Sequence, residues 1–155
     1  MKFSDFICKD AIRTHLEADK KESVIRAMVT SLMEAKKIDK KDFESIVEAI
    51  LKREELGSTG IGDGIAIPHG KFRDLEDLMI SFGRSRKGID FSATDGKPVH
   101  LFFLMVAPEN SAGQHLKVLA RISRLLKDEA VRRKLMAAKS ATELYDVIRG
   151  KDEAI

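Results

Sequence analysis

The sequence predicts an α/β domain in which one β-sheet lies between helices packed on both of its faces. Two observations support this prediction: apolar residues recur at helical spacing toward both ends of the chain, and short apolar runs typical of strands lie between them. The run from Leu101 to Ala107 is apolar at every position, which is typical of a strand covered on both faces. A chain of 155 residues can bury a substantial core, and we expect a single domain over residues 1–155.

Two amphipathic helices are predicted in the first third of the chain. The first spans residues 21–36, and its apolar stripe is Val24, Ile25, Met28, Val29, Leu32 and Met33. Asp39 is placed to cap the second, whose stripe is Phe43, Ile46, Val47, Ile50 and Leu51. We expect this helix to end near Leu56, because Gly57 opens a glycine-rich loop.

Strands are predicted in the middle of the chain. Ile65–Ile67 is a short β-prone run that Pro68 ends, which places His69 at a surface edge. Leu78–Phe82 and Val99–Val106 are the two clear strands. Residues 88–98 between them are predicted as a short strand or turn followed by a loop.

Further helices are predicted in the last third. Asn110 or Ser111 is available to cap the first of them, whose shared face is His115, Val118, Leu119, Ile122, Leu125 and Leu126. Another helix is expected around 129–138. Ser140 and Glu143 have the spacing of a capping box ahead of a last short helix, and we expect Lys151–Ile155 to be a frayed tail.

Composition excludes several classes of protein. The net charge of +3 arises from 28 basic and 25 acidic residues without a concentrated basic face, so we expect no nucleic-acid partner. The longest apolar run is far shorter than the roughly 20 residues that cross a bilayer, and the N-terminus lacks the apolar core of a signal peptide, so we expect no membrane insertion. Cys8 is the single cysteine, which is typical of a reducing compartment, and a cytoplasmic location is expected.

The segment from Gly57 to His69 is the most informative part of the chain. Gly57, Gly60, Gly62 and Gly64 give up side chains that would build a core, and they expose backbone N–H groups that suit an anion. The spacing fits neither a P-loop, which needs Ser or Thr where Phe72 stands, nor the dinucleotide fingerprint. The four histidines, His15, His69, His100 and His115, lack metal-ligand spacing, so no metal and no cofactor are expected.

His69 is the predicted phosphoryl acceptor, because a neutral imidazole is nucleophilic near pH 7. The loop Gly57, Ser58, Thr59 and Gly60 offers N–H and hydroxyl donors that suit phosphate oxygens. Arg53 either assists as a cation near the phosphoryl group or only faces its own helix end. His115 either points at His69 or is a core histidine on an apolar stripe, and His100 is predicted to be structural.

The glycine–histidine segment resembles the active-site signature of the fructose/mannitol-type (type 2) enzyme IIA domains of the bacterial phosphoenolpyruvate-dependent phosphotransferase system. The likeness extends from the first amphipathic helix through residues 107–116 to the final helix, and it is greatest to the nitrogen-regulatory enzyme IIA. The resemblance implies a mixed sheet sandwiched between helices. It implies that His69 takes the phosphoryl group through Nε2, that His115 assists, and that Arg53 lines the same site. Asp63, where asparagine is common, adds a negative charge to the signature.

The resemblance implies a phosphohistidine carrier that is charged by the histidine-containing phosphocarrier protein. Two functions follow from it. The chain acts mainly as a nitrogen-regulatory signalling protein whose phosphorylation controls its regulatory targets, or it is a sugar-specific enzyme IIA that passes phosphate to an enzyme IIB. Because the sequence carries no segment with a nucleophilic cysteine of an enzyme IIB and no membrane segment, the regulatory function is favoured.

Overall fold

The last strand, Val99–Ala107, separates two hydrophobic cores, one on each face of the sheet. The computed structural model describes residues 2–155. Side chains alternate along this strand, so that Leu101, Phe103 and Met105 contribute to one core and Phe102, Leu104 and Val106 to the other. This alternation explains why every residue of the run is apolar, and the predicted sheet between two helix layers is confirmed.

The sheet has six strands of mixed direction. They are β1 (Ile7–Arg13), β2 (Gly60–Gly62), β3 (Ile65–Ala66), β4 (His69–Lys71), β5 (Met79–Ile89) and β6 (Val99–Ala107). Their order is β1-β5-β6-β3-β2, and β4 also pairs with β6. Strand β5 is antiparallel to β6, whereas β3 and β4 follow one another along the other edge of β6, both parallel to it.

Five helices cover the two faces. Helices α1 (Lys21–Glu34) and α2 (Phe43–Glu55) pack on one face, and α3 (Ala112–Leu126), α4 (Glu129–Ala137) and α5 (Ala141–Ala154) pack on the other. Short 3-10 helices precede β1 (Phe3–Phe6) and α2 (Lys40–Asp42). None of the helices described here has both the length and the apolarity that a membrane crossing requires.

The strand predictions were right for the long runs and incomplete elsewhere. Strands β1 and β2 were not predicted, and β5 continues to Ile89, so it absorbs the start of the segment predicted as a separate strand or turn. Strand β3 ends before Pro68, as predicted, but parallel pairing with β6 resumes one residue after this proline, at His69. His69 therefore belongs to a strand and does not simply follow one.

Three helix ends differ from the prediction. Asp39 does not cap α2, which begins at Phe43 after a 3-10 turn and has no side-chain cap. Helix α1 ends at Glu34 because Lys36 adopts a left-handed φ of 61°. Ser111 occupies the position before α3, but its hydroxyl donates to the Pro108 carbonyl and accepts no N–H from the helix.

The predicted capping box at α5 is half formed, and the predicted frayed tail is wrong. The Ser140 hydroxyl accepts the Glu143 N–H, whereas the Glu143 carboxylate accepts the N–H of Lys139 instead of Ser140. Helix α5 continues to Ala154, and Asp152 is fully buried. Its carboxylate accepts the N–H of Ser4 and pairs with Arg121, so the segment is held by polar contacts that no apolar pattern reveals.

Candidate active site at strand β4

The break between β3 and β4 positions His69. Pro68 has no N–H to donate, and the Ile67 N–H turns away to the Thr59 carbonyl, 3.1 Å distant. The strand then resumes, and His69 lies beside Met105 on β6 while Gly70 lies beside Val106. Because paired residues of parallel strands share a face, His69 points toward the α3 layer and Gly70 toward the α2 layer.

The His69 imidazole is held in one tautomer. Its Nδ1 lies 2.8 Å from the Ile67 carbonyl oxygen. A carbonyl can only accept, so Nδ1 carries the proton and the lone pair is on Nε2. Burial lowers the pKa of His69, the hydrogen bond to Ile67 opposes this shift, and the Arg53 charge adds to it. The unprotonated ring is thus the form available near pH 7, with a nucleophilic Nε2.

His115 meets His69 edge to face. The ring centroids are 5.1 Å apart with an interplanar angle of 79°. His115 lies in the first turn of α3 and is 5% exposed. Burial lowers its pKa to about 4, and the neighbouring His69 and Lys71 act in the same direction. Its buried Nδ1 has no hydrogen-bond partner among residues 2–155, so the ring retains unused hydrogen-bonding capacity beside His69.

A surface groove unites the two histidines with the end of α2. It is lined by Ala49, Lys52, Arg53, Glu55, Leu56, His69, Gly70, Lys71 and His115. Three of these residues are cations and one is an acid, so the groove carries a local positive charge. Such a lining favours a phosphoryl group, which brings close to two negative charges.

Arg53 belongs to this groove and also supports the loop that follows its helix. Its Nη1 donates to the Gly57 carbonyl at 2.8 Å. Helix α2 comes close to His69 because Gly70 has no side chain. A Cβ at Gly70 would lie 3.0 Å from Ile50 Cγ1 and 3.2 Å from its backbone N. Arg53 thus contacts its own helix end and also lines the groove, and its assistance to a phosphoryl group stays a prediction.

The polar groups of the glycine loop have partners inside the protein. The Ser58 hydroxyl donates to the Phe91 carbonyl at 2.7 Å and accepts the Gly60 N–H. The Thr59 N–H and hydroxyl both donate to the Glu54 carboxylate. Gly57, Ser58, Thr59 and Gly60 are not among the groove-lining residues. Direct phosphate contact by this loop stays a prediction. The hydrogen bonds observed here hold the loop itself in place.

Asp63 has a local explanation. It forms the two-residue turn between β2 and β3 with Gly64, and φ is positive at both residues, at 57° and 79°. Such turns favour Asp or Asn followed by Gly. Asp63 is exposed and lines a small crevice with Ser123 and Lys127. Ser123 lies eight residues beyond His115 along α3, about 12 Å of helix. The charge of Asp63 is thus directed away from the histidine pair.

The family follows from comparison with known proteins. The family model described as "Phosphoenolpyruvate-dependent sugar phosphotransferase system, EIIA 2" matches residues 5–151. The chain belongs to this enzyme IIA family. Its members are components of a phosphotransferase system, which agrees with a nucleophilic histidine in a cationic groove.

Relatives of this enzyme IIA domain carry two kinds of name. This chain is 42% identical over 153 residues to the fructose-specific EIIABC component of Bacillus subtilis, and the match covers 99% of this chain but only 24% of that relative. It is 38% identical over 148 residues to the nitrogen regulatory protein of Bradyrhizobium diazoefficiens, covering 96% of this chain and 95% of the relative. The chain thus spans about a quarter of the first relative and nearly all of the second.

Solved structures share the fold. The nitrogen regulatory protein IIA-Ntr of Neisseria meningitidis superposes with a TM-score of 0.85 at 30% identity, covering 94% of this chain and 98% of that one. The mannitol enzyme IIA of Escherichia coli, in its complex with phosphorylated mannitol enzyme IIB, gives a TM-score of 0.76 at 25% identity. The matched parts are 91% of this chain and 95% of that chain. The predicted mixed sheet sandwiched between helices is confirmed by these neighbours.

Sequence analysis of this enzyme IIA domain missed the groove cations Lys52 and Lys71 and the buried carboxylate Glu54. Lys71 is two residues beyond His69 on one strand and therefore shares its face, a signal that the spacing did contain. Lys52 adjoins Arg53 at the helix end. Glu54 gave no signal, because its burial depends on Thr59 and Lys21 in other elements.

Proposed function

We propose that this chain is a phosphohistidine carrier in which Nε2 of His69 accepts a phosphoryl group. The observation that carries the proposal is the Nδ1–H bond from His69 to the Ile67 carbonyl. In the transfer, the Nε2 lone pair forms a bond to phosphorus while the N–P bond to the donor imidazole breaks, and the donor ring keeps that electron pair. Nδ1 retains its proton throughout, so the step needs no general base.

The surrounding residues act on charge and alignment. Lys52, Arg53 and Lys71 screen the phosphoryl oxygens as donor and acceptor approach in line. His115 donates a ring N–H to a phosphoryl oxygen, a role that suits a ring 5.1 Å from His69 with unused hydrogen-bonding capacity. Its neutral form is favoured by burial, and a dianion nearby would favour the protonated form, which strengthens the contact.

The proposed donor is the histidine-containing phosphocarrier protein. Two exposed apolar side chains support docking of a protein: Leu56, which lines the groove, is 85% exposed, and Leu116, which follows His115 in the chain, is 67% exposed. A partner that covers Leu56 at the groove would bring its own phosphohistidine close to His69. A cytoplasmic location fits this exchange and the buried, unpaired Cys8.

Within the family, we propose that the chain acts mainly in nitrogen regulation. The support is the near-complete mutual coverage with the Bradyrhizobium regulatory protein and the TM-score of 0.85 with the Neisseria one. A phosphoryl group on His69 would offset the positive charge of the groove, so the affinity of partners that dock there would depend on phosphorylation.

The second candidate is a fructose-type enzyme IIA that passes phosphate to an enzyme IIB. It is favoured by the 42% identity to the fructose-specific component of Bacillus subtilis, which exceeds the identity to the regulatory relative. The mannitol enzyme IIA complex shows that a protein of this fold engages a phosphorylated enzyme IIB.

Phosphotransfer with purified components tests the carrier function. The chain is mixed with phosphoenolpyruvate, enzyme I and the phosphocarrier protein, and acid-labile phosphate is located by mass spectrometry. We expect labelling at His69, none in His69→Ala, and transfer slowed about a hundredfold in His115→Ala, because one phosphoryl contact is lost. His15→Ala is the matched control, since His15 is exposed and outside the groove.

Labelling of His69→Ala on another histidine would overturn the assignment of His69. A wild-type rate for His115→Ala would leave His115 as a core residue only. Adding a fructose-type enzyme IIB then separates the two functions. Phosphate that stays on His69 supports regulation, and rapid onward transfer to the IIB cysteine supports sugar uptake.

A further inference from the structure

Glu54 is a buried carboxylate for which the proposed transfer step has no direct use. Its side chain is 3% exposed, although the residue is in the last turn of α2 beside Arg53. Lys21 at the start of α1 lies 3.0 Å from Oε2, and the N–H of Thr59 lies 3.1 Å from Oε1. The Thr59 hydroxyl makes a third contact, also to Oε1. A buried charge with this many donors fixes the backbone of Thr59 firmly.

Thr59 connects Glu54 to the imidazole of His69. The Thr59 carbonyl accepts the N–H of Ile67 at 3.1 Å. The Ile67 carbonyl in turn accepts Nδ1–H of His69 at 2.8 Å. Three hydrogen bonds, joined through the backbones of Thr59 and Ile67, therefore link the Glu54 carboxylate to the ring.

The loop needs such an anchor because of its composition. Between Glu54 and Ile67 the chain contains four glycines, and glycine loses more conformational freedom on ordering than any other residue. The Ile67 carbonyl can hold an imidazole only while its peptide plane is fixed. Thr59 restrains Ile67 through its N–H, in the peptide unit just before that carbonyl, and Glu54 in turn restrains Thr59.

We propose that Glu54 is a positioning residue for His69. Through Thr59 and Ile67 it holds the imidazole with its proton on Nδ1, so that Nε2 faces the groove as the nucleophile. This inference rests on the proposed function, since only phosphoryl acceptance at Nε2 gives the tautomer a catalytic consequence. Outer partners of this kind typically change activity about tenfold to a hundredfold when they are removed.

The test compares Glu54→Gln with Glu48→Gln. Glu48 is an exposed residue of the same helix and lies outside the histidine groove, so its substitution makes the same change of charge. Histidine 15N NMR at pH 8 gives the tautomer of His69, and a pH titration gives its pKa. In Glu54→Gln we expect loss of the single Nδ1–H tautomer, a lower pKa because a nearby negative charge is removed, and phosphoryl acceptance about tenfold slower. Glu48→Gln should match the wild type in all three measurements.

A purely structural role predicts a different result. If Glu54→Gln lowers only the free energy of unfolding and the folded protein keeps the wild-type tautomer, pKa and transfer rate, the proposal is overturned. Should Glu54→Gln fail to fold, Thr59→Val and Thr59→Ser test the same link, because only serine retains the hydroxyl that meets Glu54. The proposal then requires Ser to preserve the tautomer and Val to disturb it, and equal spectra would reject it.

The two levels of inference can fail separately. If the wild-type chain is not phosphorylated at all but Glu54→Gln still changes the tautomer, the carrier function fails and the positioning role stands. If the chain is phosphorylated on His69 and Glu54→Gln leaves ring and rate unchanged, the positioning role fails and the carrier function stands.

Discussion

At the scale of single residues, His115 makes folding stability depend on pH. The buried ring has a pKa of about 4, whereas an unfolded chain would have the ordinary value of 6.5. The unfolded state therefore binds more protons between pH 6.5 and 4, and the free energy of unfolding falls as pH falls through this range. The full difference corresponds to about 3 kcal/mol at most.

Chemical denaturation at pH 7 and pH 4.5 measures this effect. Carboxylates also titrate over the range, so the informative quantity is the difference between wild type and His115→Gln, which retains a polar side chain but cannot titrate. We expect the wild type to lose more stability on acidification than the variant. Equal losses would mean that folding does not lower the pKa of His115.

The site candidates that the sequence could name are those with a signal in the local spacing of residues. His69 after Pro68, with the glycines before it, stood out in the sequence because the contact that orients the ring is to the backbone two residues away, and the structure places this residue in the groove. Glu54 and Asp152 were unpredictable for the opposite reason. A carboxylate in a polar helix pattern is normally solvated, and its burial is decided by partners such as Lys21 and Arg121 that only the fold brings near.

At the scale of elements, helix α5 is fastened by Asp152. The carboxylate accepts the Ser4 N–H at 2.9 Å and pairs with Arg121 at 2.8 Å, so it joins the last helix to the N-terminal turn and to α3. We expect Asp152→Ala to lower the free energy of unfolding by about 3 kcal/mol, since the Ser4 N–H loses its partner and the Arg121 guanidinium keeps only its bond to the Asp152 backbone carbonyl.

Glu153→Ala is the matched control in the same turn. Glu153 pairs with Arg149 at 3.1 Å, but both side chains are exposed, and such a pair contributes about 0.5 kcal/mol. Urea denaturation monitored by circular dichroism compares the two variants. Similar small losses for both would restore the prediction of a frayed tail.

The elements themselves were predictable in proportion to their length. Four of the five helices have 13 to 15 residues of apolar spacing, and strand β6 contains a continuous apolar run. Strands β2 and β4 have three residues each, too few for any period to show. Strand β1 is longer, with seven residues, but its buried and exposed positions do not alternate strictly. Its pairing with β5 also shifts register after Ile7.

At the scale of the whole molecule, the site forms where the two helix layers meet across a sheet edge. Helix α2 packs on one face and contributes Lys52 and Arg53, whereas α3 packs on the other and contributes His115. Strand β4 at the edge supplies His69 and Lys71 between them. No local pattern contains this meeting point, so the sequence named His69, Arg53 and His115 as candidates without showing that they share one groove with Lys52 and Lys71.

The lining should guide the phosphorylated donor by its local field and not through the net charge of the chain. The net charge is +3, and removing any one cation lowers it equally. We expect Lys71→Gln to reduce kcat/KM for phosphoryl transfer several-fold at low salt, because Lys71 lies in the groove that receives the phosphoryl group. Lys87→Gln, at an exposed position on β5 outside the groove, should leave the rate unchanged.

Rapid-quench transfer assays at about 20 mM and about 500 mM salt separate long-range attraction of the donor from direct contact with its phosphoryl group. The Debye length falls well below about 10 Å at the higher concentration, so long-range attraction is screened there. The part of the Lys71 effect that comes from long-range attraction should shrink with added salt, and the part that comes from direct contact with phosphoryl oxygens should persist. Equal slowing by Lys71→Gln and Lys87→Gln would show instead that donors respond only to the net charge of the molecule.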